Sequence, residues 1–194
     1  MHRFTLWGDT ATVAGMILVV AATERELAGA VGAATLACGI GPVEAAAATA
    51  RALARGQRPA ALLHVGIAGA RGLPVPQLVI GSEAVYEDAV AGGLVPERVP
   101  ADAHLVDAAQ RALPDARVLP IGTSAHVGGT SFCEVEAMEG FAVLRAARLV
   151  GVPAVEVRAV SNEIDEPDRG LWRFDAALAA LDAALPRLIS ALDA

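Results

Sequence analysis

The sequence predicts a layered α/β domain, in which strands and helices alternate along the chain. Two observations support this fold class. From Met16 onward, short aliphatic runs alternate with alanine-rich stretches whose apolar residues recur at helical spacing. In addition, 55% of the 194 residues are hydrophobic and only 4% are aromatic, which suits one aliphatic core. We therefore expect residues 16–194 to form a single domain and residues 1–15 to be a disordered extension.

In the first half of the chain, the predicted strands are short apolar runs, and glycine, proline or a capping residue marks each boundary. The turn at residues 39–42 ends in a proline, which is favourable at a helix start because its missing N–H would be unpaired there anyway. Gly66–Gly69 is expected to turn the chain after the third strand, at the edge where open α/β sheets bind ligands. The predicted elements are a strand Met16–Ala22, a helix starting at Thr23, a strand Ala34–Cys38, a helix from Val43 to about Arg55 and a strand Ala60–Val65.

The second half of the chain continues this alternation. Proline and glycine clusters fall where turns are needed, and the alanine-rich segments have helical periodicity, which distinguishes them from low-complexity linkers. The predicted elements are a strand Leu78–Val85, a helix Ala101–Leu113, a strand Ala116–Ile121, a helix Val135–Val150, a strand Val152–Val160 and a helix Leu171–Leu192.

The charge pattern argues against nucleic acid as a partner. All 15 basic residues are arginine, and 22 acidic residues outweigh them to give a formal net charge of -7. No basic stripe stands out that could follow a phosphate backbone. The apolar run that starts at Met16 stops at Thr23, far short of a membrane span or of a signal peptide's cleavage region, so no membrane association is expected.

Cysteine and histidine usage predicts a cytoplasmic protein without a bound metal. Cys38 and Cys133 are the only cysteines, too few for a disulfide framework, which fits a reducing compartment. The four histidines are scattered, and none has metal-site spacing to another histidine, a cysteine or a carboxylate. We expect no metal and no other cofactor.

Glu26, just past the first predicted strand, is the first candidate site residue. Thr23 followed three residues later by Glu26 is a capping box, in which both side chains satisfy N–H groups at the helix end. This structural meaning of the pattern is common. On these residues alone, capping is favoured over catalysis for Glu26.

Glu139 and the pair Ser161 and Asn162 are further polar groups in apolar surroundings. Glu139 lies in a predicted helix start, where a buried carboxylate would need a partner but an exposed one would simply be favoured by the helix dipole. Ser161 and Asn162 end the last predicted strand, where open α/β enzymes keep catalytic groups but where ordinary turns also use serine and asparagine. The residues alone leave both alternatives open in each case.

The segment Gly39–Gly41 follows a strand and precedes a helix, as a dinucleotide-binding loop would. The position of the third small residue in that fingerprint is occupied by Glu44, whose carboxylate would face a pyrophosphate. A tight turn is therefore the better interpretation.

Five short motifs occur along the chain in a characteristic order. They are Thr23–Leu27, Gly39–Gly41, Gly66–Gly69, Met138–Gly140 and Arg158–Asn162. With these motifs, the chain after Met16 resembles the nucleoside phosphorylase and nucleosidase family. Within that family it is similar to methylthioadenosine/S-adenosylhomocysteine nucleosidases and looks most like the futalosine hydrolases. The resemblance implies a three-layer α/β fold, with a mixed central sheet flanked by helices, and a homodimer or higher homo-oligomer.

The resemblance also implies a role for each site residue. Glu26 would position and deprotonate an attacking water, and Glu139 would bind the ribose hydroxyls, with Met138 packed against the sugar. Asn162 would contact the purine ring, and Phe132 is the candidate for the wall on the base side. The other residues expected to line the nucleoside are Ile67, Ala68, Gly69 and Ser161.

Two departures from relatives refine the expected reaction. Adenine-specific nucleosidases carry aspartate where this chain has Asn162, whose amide can donate to the O6 of a 6-oxopurine while its oxygen accepts from a protonated N7. Related phosphorylases use a serine hydroxyl to bind phosphate in the segment where this chain has Ile67, so water is the expected nucleophile.

The expected reaction is hydrolysis of the N-glycosidic bond of futalosine, which releases hypoxanthine in menaquinone biosynthesis. The expected partner is a small nucleoside substrate. Two alternatives stay open: a methylthioadenosine/S-adenosylhomocysteine nucleosidase that tolerates asparagine at position 162, and a catalytically silent nucleoside-binding domain.

Overall fold

A computed structural model describes residues 16–55, 58–89, 91–127 and 132–193, and the predicted extension 1–15 lies outside them. The strands in these residues are β1 Ile17–Ala21, β2 Ala34–Ala37, β3 Ala61–Ala70, β4 Leu78–Tyr86, β5 Arg98–Pro100, β6 Arg117–Thr123, β7 Val135–Ala137 and β8 Ala154–Glu163. The α-helices are α1 Pro42–Arg55, α2 Ala103–Ala112, α3 Gly140–Leu149 and α4 Phe174–Leu192. Two short 3-10 helices span Glu24–Leu27 and Arg169–Leu171.

The strands form one mixed sheet. β2, β1, β3 and β8 are parallel neighbours in that order, so their carboxyl ends lie at the same edge. β8 also pairs with β4, in the antiparallel direction. The pairings of β4 with β6, of β6 with β7 and of β7 with β3 then close a ring of five strands. One apolar cluster contains side chains from all five, as expected for the interior of such a ring.

Helices cover both faces of the sheet and produce three layers. On one face, α2 and α4 pack against alternate strand residues such as Leu63 and Val157. On the other face, α1 and α3 pack against the intervening residues, such as Leu18 and Leu62. Strands buried on both faces need apolar residues at successive positions, which explains the continuous apolar runs in the sequence. The predicted α/β class, with a mixed central sheet flanked by helices, is confirmed.

The segment Gly66–Gly69 is not the turn that its glycines suggest. β3 continues through it to Ala70, and its pairing with β8 shifts register between Ala68 and Gly69. The strand persists because Gly69 and Ala70 gain a second partner in β7. Tertiary pairing here outweighs the low strand propensity of glycine.

The predicted helix Val135–Val150 is divided in two. Val135–Ala137 form β7, which pairs with β3 and β6, and α3 begins only at Gly140. A three-residue strand next to a helix gives no separate periodic signal in the sequence. The division places Glu139 immediately before the helix, at its N-cap position.

Several other boundaries differ from the prediction. The helix expected to start at Thr23 is a 3-10 helix of four residues. β5 has only three residues and is absent from the sequence-based assignment. The last helix begins at Phe174, and a 3-10 helix replaces its expected start at Leu171. In the part of the chain that the structure describes, no helix is long and apolar enough to span a membrane.

Candidate active site

Buried polar side chains gather at the carboxyl end of β1 and along the neighbouring strands β3 and β8. Ionisable side chains are seldom fully buried unless they are paired, so their concentration in an otherwise aliphatic sheet points to a site. The group comprises Glu26, His64, Glu139, Glu156, Arg158 and Asn162.

Glu26 caps a helix and also contacts the neighbouring strand. Its Oε2 atom accepts hydrogen bonds from the amide of Thr23 at 3.0 Å and from the hydroxyl of Thr23 at 2.8 Å. Its Oε1 atom accepts from the amide of Ile67 in β3 at 3.1 Å. The capping interpretation is therefore confirmed, but it accounts for only one of the two carboxylate oxygens. The other oxygen is held at the sheet edge.

Gly66 leaves the space in which Glu26 and Arg158 approach the backbone of β3. A Cβ atom at this position would lie 2.8 Å from Oε1 of Glu26 and would overlap the guanidinium group of Arg158. Any larger residue would push these two groups away from the strand, because the interior has no spare volume. This glycine serves close packing and not a turn.

Glu139 lies immediately before α3 and is 4% exposed. Its Oε1 atom accepts a hydrogen bond from the amide of Gly41 at 3.0 Å, and its Oε2 atom accepts from Nη2 of Arg158 at 3.2 Å. Gly41 has a φ of 91°, which glycine adopts without strain. Of the two alternatives for Glu139, the buried and paired carboxylate is correct, and the tight turn at Gly39–Gly41 holds it.

Arg158 is the cation at the centre of this group. Its Nε atom donates to Glu156 at 2.7 Å, its Nη2 atom to Glu139 at 3.2 Å and its Nη1 atom to the carbonyl of Ile67 at 3.3 Å. Burial by itself lowers the pKa of Arg158, but the charges of Glu156, Glu139 and Glu26 more than offset this and raise the pKa above its usual value. The guanidinium therefore stays charged and ties β3, β8 and the start of α3 together.

His64, fully buried in β3, is held neutral. Its Nδ1 atom lies 3.0 Å from the carbonyl of Val20, and its Nε2 atom lies 2.6 Å from Nη2 of Arg158. Because a guanidinium can only donate, Nε2 must accept, and the ring proton is on Nδ1, where it donates to Val20. Burial and the charge of Arg158 lower the pKa of His64 well below its usual value. His64 thus supports Arg158 without adding a charge.

His64, Glu156 and Arg158 are site residues that the sequence-based list of candidates omits. A usable signal exists in β8, because Glu156 and Arg158 are two residues apart in a strand and point to the same face. Opposite charges at that spacing, in a stretch 154–160 that is otherwise alanine and valine, indicate a buried ion pair. His64 lies opposite Glu156 in the register of β3 and β8, and this adjacency depends on the fold.

Ser161 and Asn162 occupy an irregular position in β8. Ala68 and Gly69 of β3 pair with Val160 and Asn162 of β8, so Ser161 is the extra residue of a bulge in β8. The Ser161 hydroxyl lies 2.7 Å from Oδ1 of Asn162 and 3.2 Å from the carbonyl of Ala68. Nδ2 of Asn162 donates to the carbonyl of Glu163 at 3.0 Å, and a Cβ atom at Gly69 would lie 3.1 Å from Nδ2. Gly69 and Ser161 therefore border the amide of Asn162, and Ala68 contacts Ser161.

Met138 and Phe132 lie in the segment that leads from β6 to α3. Met138 directly precedes Glu139 and is partly buried. Phe132 is 94% exposed, so in the single chain its ring faces solvent. Its position as a wall beside the base stays a prediction.

Neither cysteine is prepared to act as a nucleophile. Burial and the charge of Glu139 raise the pKa of Cys38 to about 12. Burial and the hydrogen bond with Glu87 raise the pKa of Cys133 to about 12. Both groups therefore remain thiols at neutral pH. Across the described residues, no group of three or more histidine, cysteine or acidic side chains could hold a metal ion.

Comparisons with known proteins agree on one group of enzymes. The family model of the phosphorylase superfamily matches residues 21–194. A futalosine hydrolase of Streptomyces coelicolor is 38% identical in an alignment of 187 residues that covers 81% of this chain and 79% of that protein.

Solved structures of the same group share the fold. A 5'-methylthioadenosine/S-adenosylhomocysteine nucleosidase of Colwellia psychrerythraea, in complex with adenine, has a TM-score of 0.81 at 19% identity, and the match covers 91% of this chain and 96% of that one. A futalosine hydrolase of Helicobacter pylori has a TM-score of 0.77 at 15% identity, with 91% and 96% covered. At such identities the structural matches establish the fold alone.

Proposed function

This chain belongs to the phosphorylase superfamily, and on that premise we propose that it is an N-glycosyl hydrolase that cleaves futalosine and releases hypoxanthine. The reaction would serve menaquinone biosynthesis in the cytoplasm, with residues 16–194 acting as one nucleosidase domain. The choice of futalosine as substrate is supported by the similarity to a futalosine hydrolase over most of the chain. The chemistry is supported by the buried groups at the sheet edge.

The surplus of buried negative charge at that edge carries the proposal. The carboxylates of Glu26 and Glu139 lie around a single guanidinium, that of Arg158. Glycosidic cleavage passes through a ribosyl cation, whose positive charge develops at the anomeric carbon. Fixed anions stabilise such a transition state without reorganising during the reaction. A site in which carboxylates outnumber cations suits this chemistry.

Glu26 is proposed to hold the attacking water. Three hydrogen bonds fix its carboxylate before substrate arrives, two from Thr23 and one from Ile67. The side chain is therefore already ordered, and the reaction does not lose conformational entropy to position it. Ile67 has no hydroxyl group for a phosphate, which favours water as the nucleophile over phosphate. A carboxylate in this position can take the proton that the water loses.

Glu139 is proposed to bind the 2′- and 3′-hydroxyls of the ribose, with Met138 packed against the sugar. Gly41 and Arg158 each occupy one oxygen of the carboxylate. Each carboxylate oxygen has two lone pairs, so both oxygens retain capacity for a hydroxyl donor. The same charge would face the developing cation.

Asn162 is proposed to form hydrogen bonds with the purine. With the amide oriented by its hydrogen-bond network, Oδ1 accepts a hydrogen bond from Ser161, and Nδ2 uses one N–H to donate a hydrogen bond to the backbone carbonyl of Glu163. One N–H and one lone pair of the amide remain for a ligand. This combination matches a departing hypoxanthine, whose O6 accepts a hydrogen bond and whose N7 takes its proton from solvent water and then donates to Oδ1. Ile67, Ala68, Gly69 and Ser161 would line the nucleoside around it.

The amide at position 162 disfavours the methylthioadenosine/S-adenosylhomocysteine alternative. An enzyme that cleaves adenine nucleosides gains from a carboxylic acid that protonates N7, and an amide cannot supply that proton. A silent nucleoside-binding domain is disfavoured because it would not need Glu26 held toward the site in addition to its capping role.

We also propose that the protein forms a homodimer or a higher homo-oligomer. Leu94 and Phe132 are 90% and 94% exposed in the single chain, and association of chains would remove such apolar side chains from water. Sedimentation velocity should give a mass of at least two chains. A concentration-independent monomer would contradict this proposal.

The deciding experiment offers futalosine, inosine and methylthioadenosine to the purified protein and separates the freed bases by chromatography. We expect hypoxanthine from futalosine as the fastest reaction. Faster release of adenine from methylthioadenosine would support the alternative nucleosidase. No base from any substrate would support the silent domain and exclude the proposed hydrolysis.

A further inference from the structure

Glu156 is a buried acid that none of the proposed reaction steps uses. It lies in β8, fully buried, and its Oε1 atom accepts a hydrogen bond from Nε of Arg158. Its Oε2 atom is buried and has no hydrogen-bond partner among the described residues. Because an unpaired polar atom in the interior costs stability, fold stability alone does not explain an acid at this position.

Gly140 provides the space that the carboxyl group of Glu156 occupies. A Cβ atom at position 140 would overlap both carboxyl oxygens of Glu156. The backbone of Gly140 is not in the left-handed region, so conformational freedom does not explain the glycine. Glycine also weakens the helix that begins here, relative to alanine. Two locally unfavourable residues therefore meet at one contact beside the site.

We propose that Glu156 is a positioning residue, which is seated against Gly140 and orients the Arg158 guanidinium toward Glu139. A guanidinium is planar and rigid, so an acceptor that fixes Nε also fixes the directions of both Nη atoms. In this orientation Nη2 reaches Glu139 and Nη1 reaches the carbonyl of Ile67. The inference deepens the proposed function and rests on it, because it concerns the same site.

The protonation state of Glu156 does not change this role. Burial raises the pKa of Glu156, even though the charge of Arg158 acts in the opposite direction. A carboxylate and a neutral carboxyl group both offer Nε an acceptor oxygen. A glutamine can also offer one, whereas an aliphatic residue cannot.

Loss of this contact should act on turnover more than on substrate binding. Without an acceptor at Nε, the guanidinium no longer points at Glu139, and this carboxylate, whose negative charge faces the sugar, loses one of the two hydrogen bonds that hold it. That charge is needed mainly when the cation develops, so kcat should fall while KM changes little.

The test uses Gly140→Ala as the primary variant, because it adds one methyl group and improves helix propensity. It is compared with Glu156→Val, with the double variant, with Glu156→Gln and with Arg148→Ala as a control on the exposed side of α3. We expect Gly140→Ala and Glu156→Val each to lower kcat at least about 10-fold with KM within about 3-fold. Glu156→Gln should retain more activity than Glu156→Val, and Arg148→Ala should match the wild type.

The double variant distinguishes loss of one shared contact from two independent effects on kcat. If both substitutions break the same contact, the double variant is no worse than the poorer single variant, whereas independent effects would multiply to about 100-fold. Multiplying effects, or wild-type kcat in a folded Gly140→Ala protein, would overturn the proposal. Should Glu156→Val fail to fold, the comparison of Gly140→Ala with Glu156→Gln decides.

A crystal structure of Gly140→Ala gives a readout that does not depend on activity. The guanidinium of Arg158 should be displaced from Glu139, and an unmoved guanidinium would refute the positioning role. A wild-type protein that cleaves no nucleoside would refute the proposed function but would leave this structural result to decide the inference.

Discussion

Glu26 is bound by Thr23 on one oxygen and by β3 on the other, so a single carboxylate closes a helix end and is presented to the sheet edge. These two roles do not compete, because they use different oxygens. The cap fixes the side chain, and the fixed side chain is what a water-positioning base requires. A capping box in the sequence is therefore compatible with a site residue.

Glu26→Gln should abolish hydrolysis while the protein still folds. An amide cannot take a proton from water, so kcat should fall at least about 100-fold. The amide oxygen can still accept from Thr23, but the amide NH2 then faces the N–H of Ile67, another donor, so the melting temperature should fall modestly. Glu24→Gln, in the same 3-10 helix but exposed, is the control and should keep wild-type turnover. Undiminished turnover in Glu26→Gln would remove Glu26 as the base.

Asn162→Asp should move substrate preference toward adenine nucleosides. A carboxylic acid can protonate N7 and accept from a 6-amino group, whereas it repels O6 when ionised. The ratio of adenine to hypoxanthine released from paired substrates should rise about 10-fold or more. Asn162→Ala should lower both rates without raising this ratio. An unchanged ratio in Asn162→Asp would contradict the assigned base contact.

The sequence shows which single residues are candidates for the site, but it does not show which residues they contact. Glu139 and Asn162 are visible as polar groups in apolar segments, and the structure finds both buried. Arg158 and His64 acquire their importance from the register of β3 and β8, in which side chains about 90 residues apart come within hydrogen-bond distance. Register depends on the whole sheet, so local patterns do not contain this information.

At Gly29, the chain packs directly against the backbone of α4, and only glycine leaves room for this contact. Gly29 follows the 3-10 helix that carries Glu26, and its amide donates to Asp182 in α4 at 3.1 Å. A Cβ atom at Gly29 would lie 2.6 Å from the backbone carbonyl oxygen of Asp182. A backbone atom within a helix cannot move without moving the helix, so this contact sets the distance between α4 and the segment that carries Glu26.

Gly29→Ala should reduce both stability and turnover. The added methyl group must push α4 away from the 3-10 helix, which should destabilise the protein by about 1–3 kcal/mol. For a chain of this length, that corresponds to a melting temperature lower by several degrees, on the order of 2–4 °C per kcal/mol. Val31→Ala, at a residue that is 86% exposed, is the control. Wild-type stability and kcat in Gly29→Ala would show that the contact is adaptable.

Long, strongly periodic elements can be predicted from the sequence, and short ones cannot. β1, α1 and α4 occur close to their predicted positions because their apolar patterns extend over a whole element. β5 and β7 have three residues each, and their existence depends on partners elsewhere in the sheet. The error at β7 also misplaced the start of α3 and so obscured the position of Glu139 at its N-cap.

Folding places one neutral histidine beside a buried arginine, and this couples stability to pH. The pKa of His64 is lowered in the folded protein, so below about pH 6.5 the unfolded chain binds a proton that the folded chain does not. The contribution of His64 is therefore complete above that pH and is lost as the pH falls. Glu156 acts in the opposite sense, because its raised pKa stabilises the folded state at low pH and this contribution is lost as the pH rises.

His64→Asn should make the free energy of unfolding less sensitive to acid. Between pH 6.5 and pH 5, the wild type should lose about 1.4 kcal/mol per pH unit more than the variant, because the variant has no proton to bind at this position. Urea unfolding at a series of pH values measures this difference, and the comparison cancels the contribution of Glu156. His104→Asn, at an exposed position, should leave the slope unchanged. Equal slopes for wild type and His64→Asn would mean that His64 is not buried as a neutral ring.

The insertion of β8 between β3 and β4 has a consequence for synthesis on the ribosome. Until residues 154–163 emerge, the facing edges of two long strands lack the partner that separates them. Exposed strand edges pair readily with other chains, so the nascent protein is most prone to aggregation just before its last strand is made. Arg158 and Asn162 arrive on that same strand. Completion of the sheet and assembly of the proposed site should therefore occur together, late in synthesis.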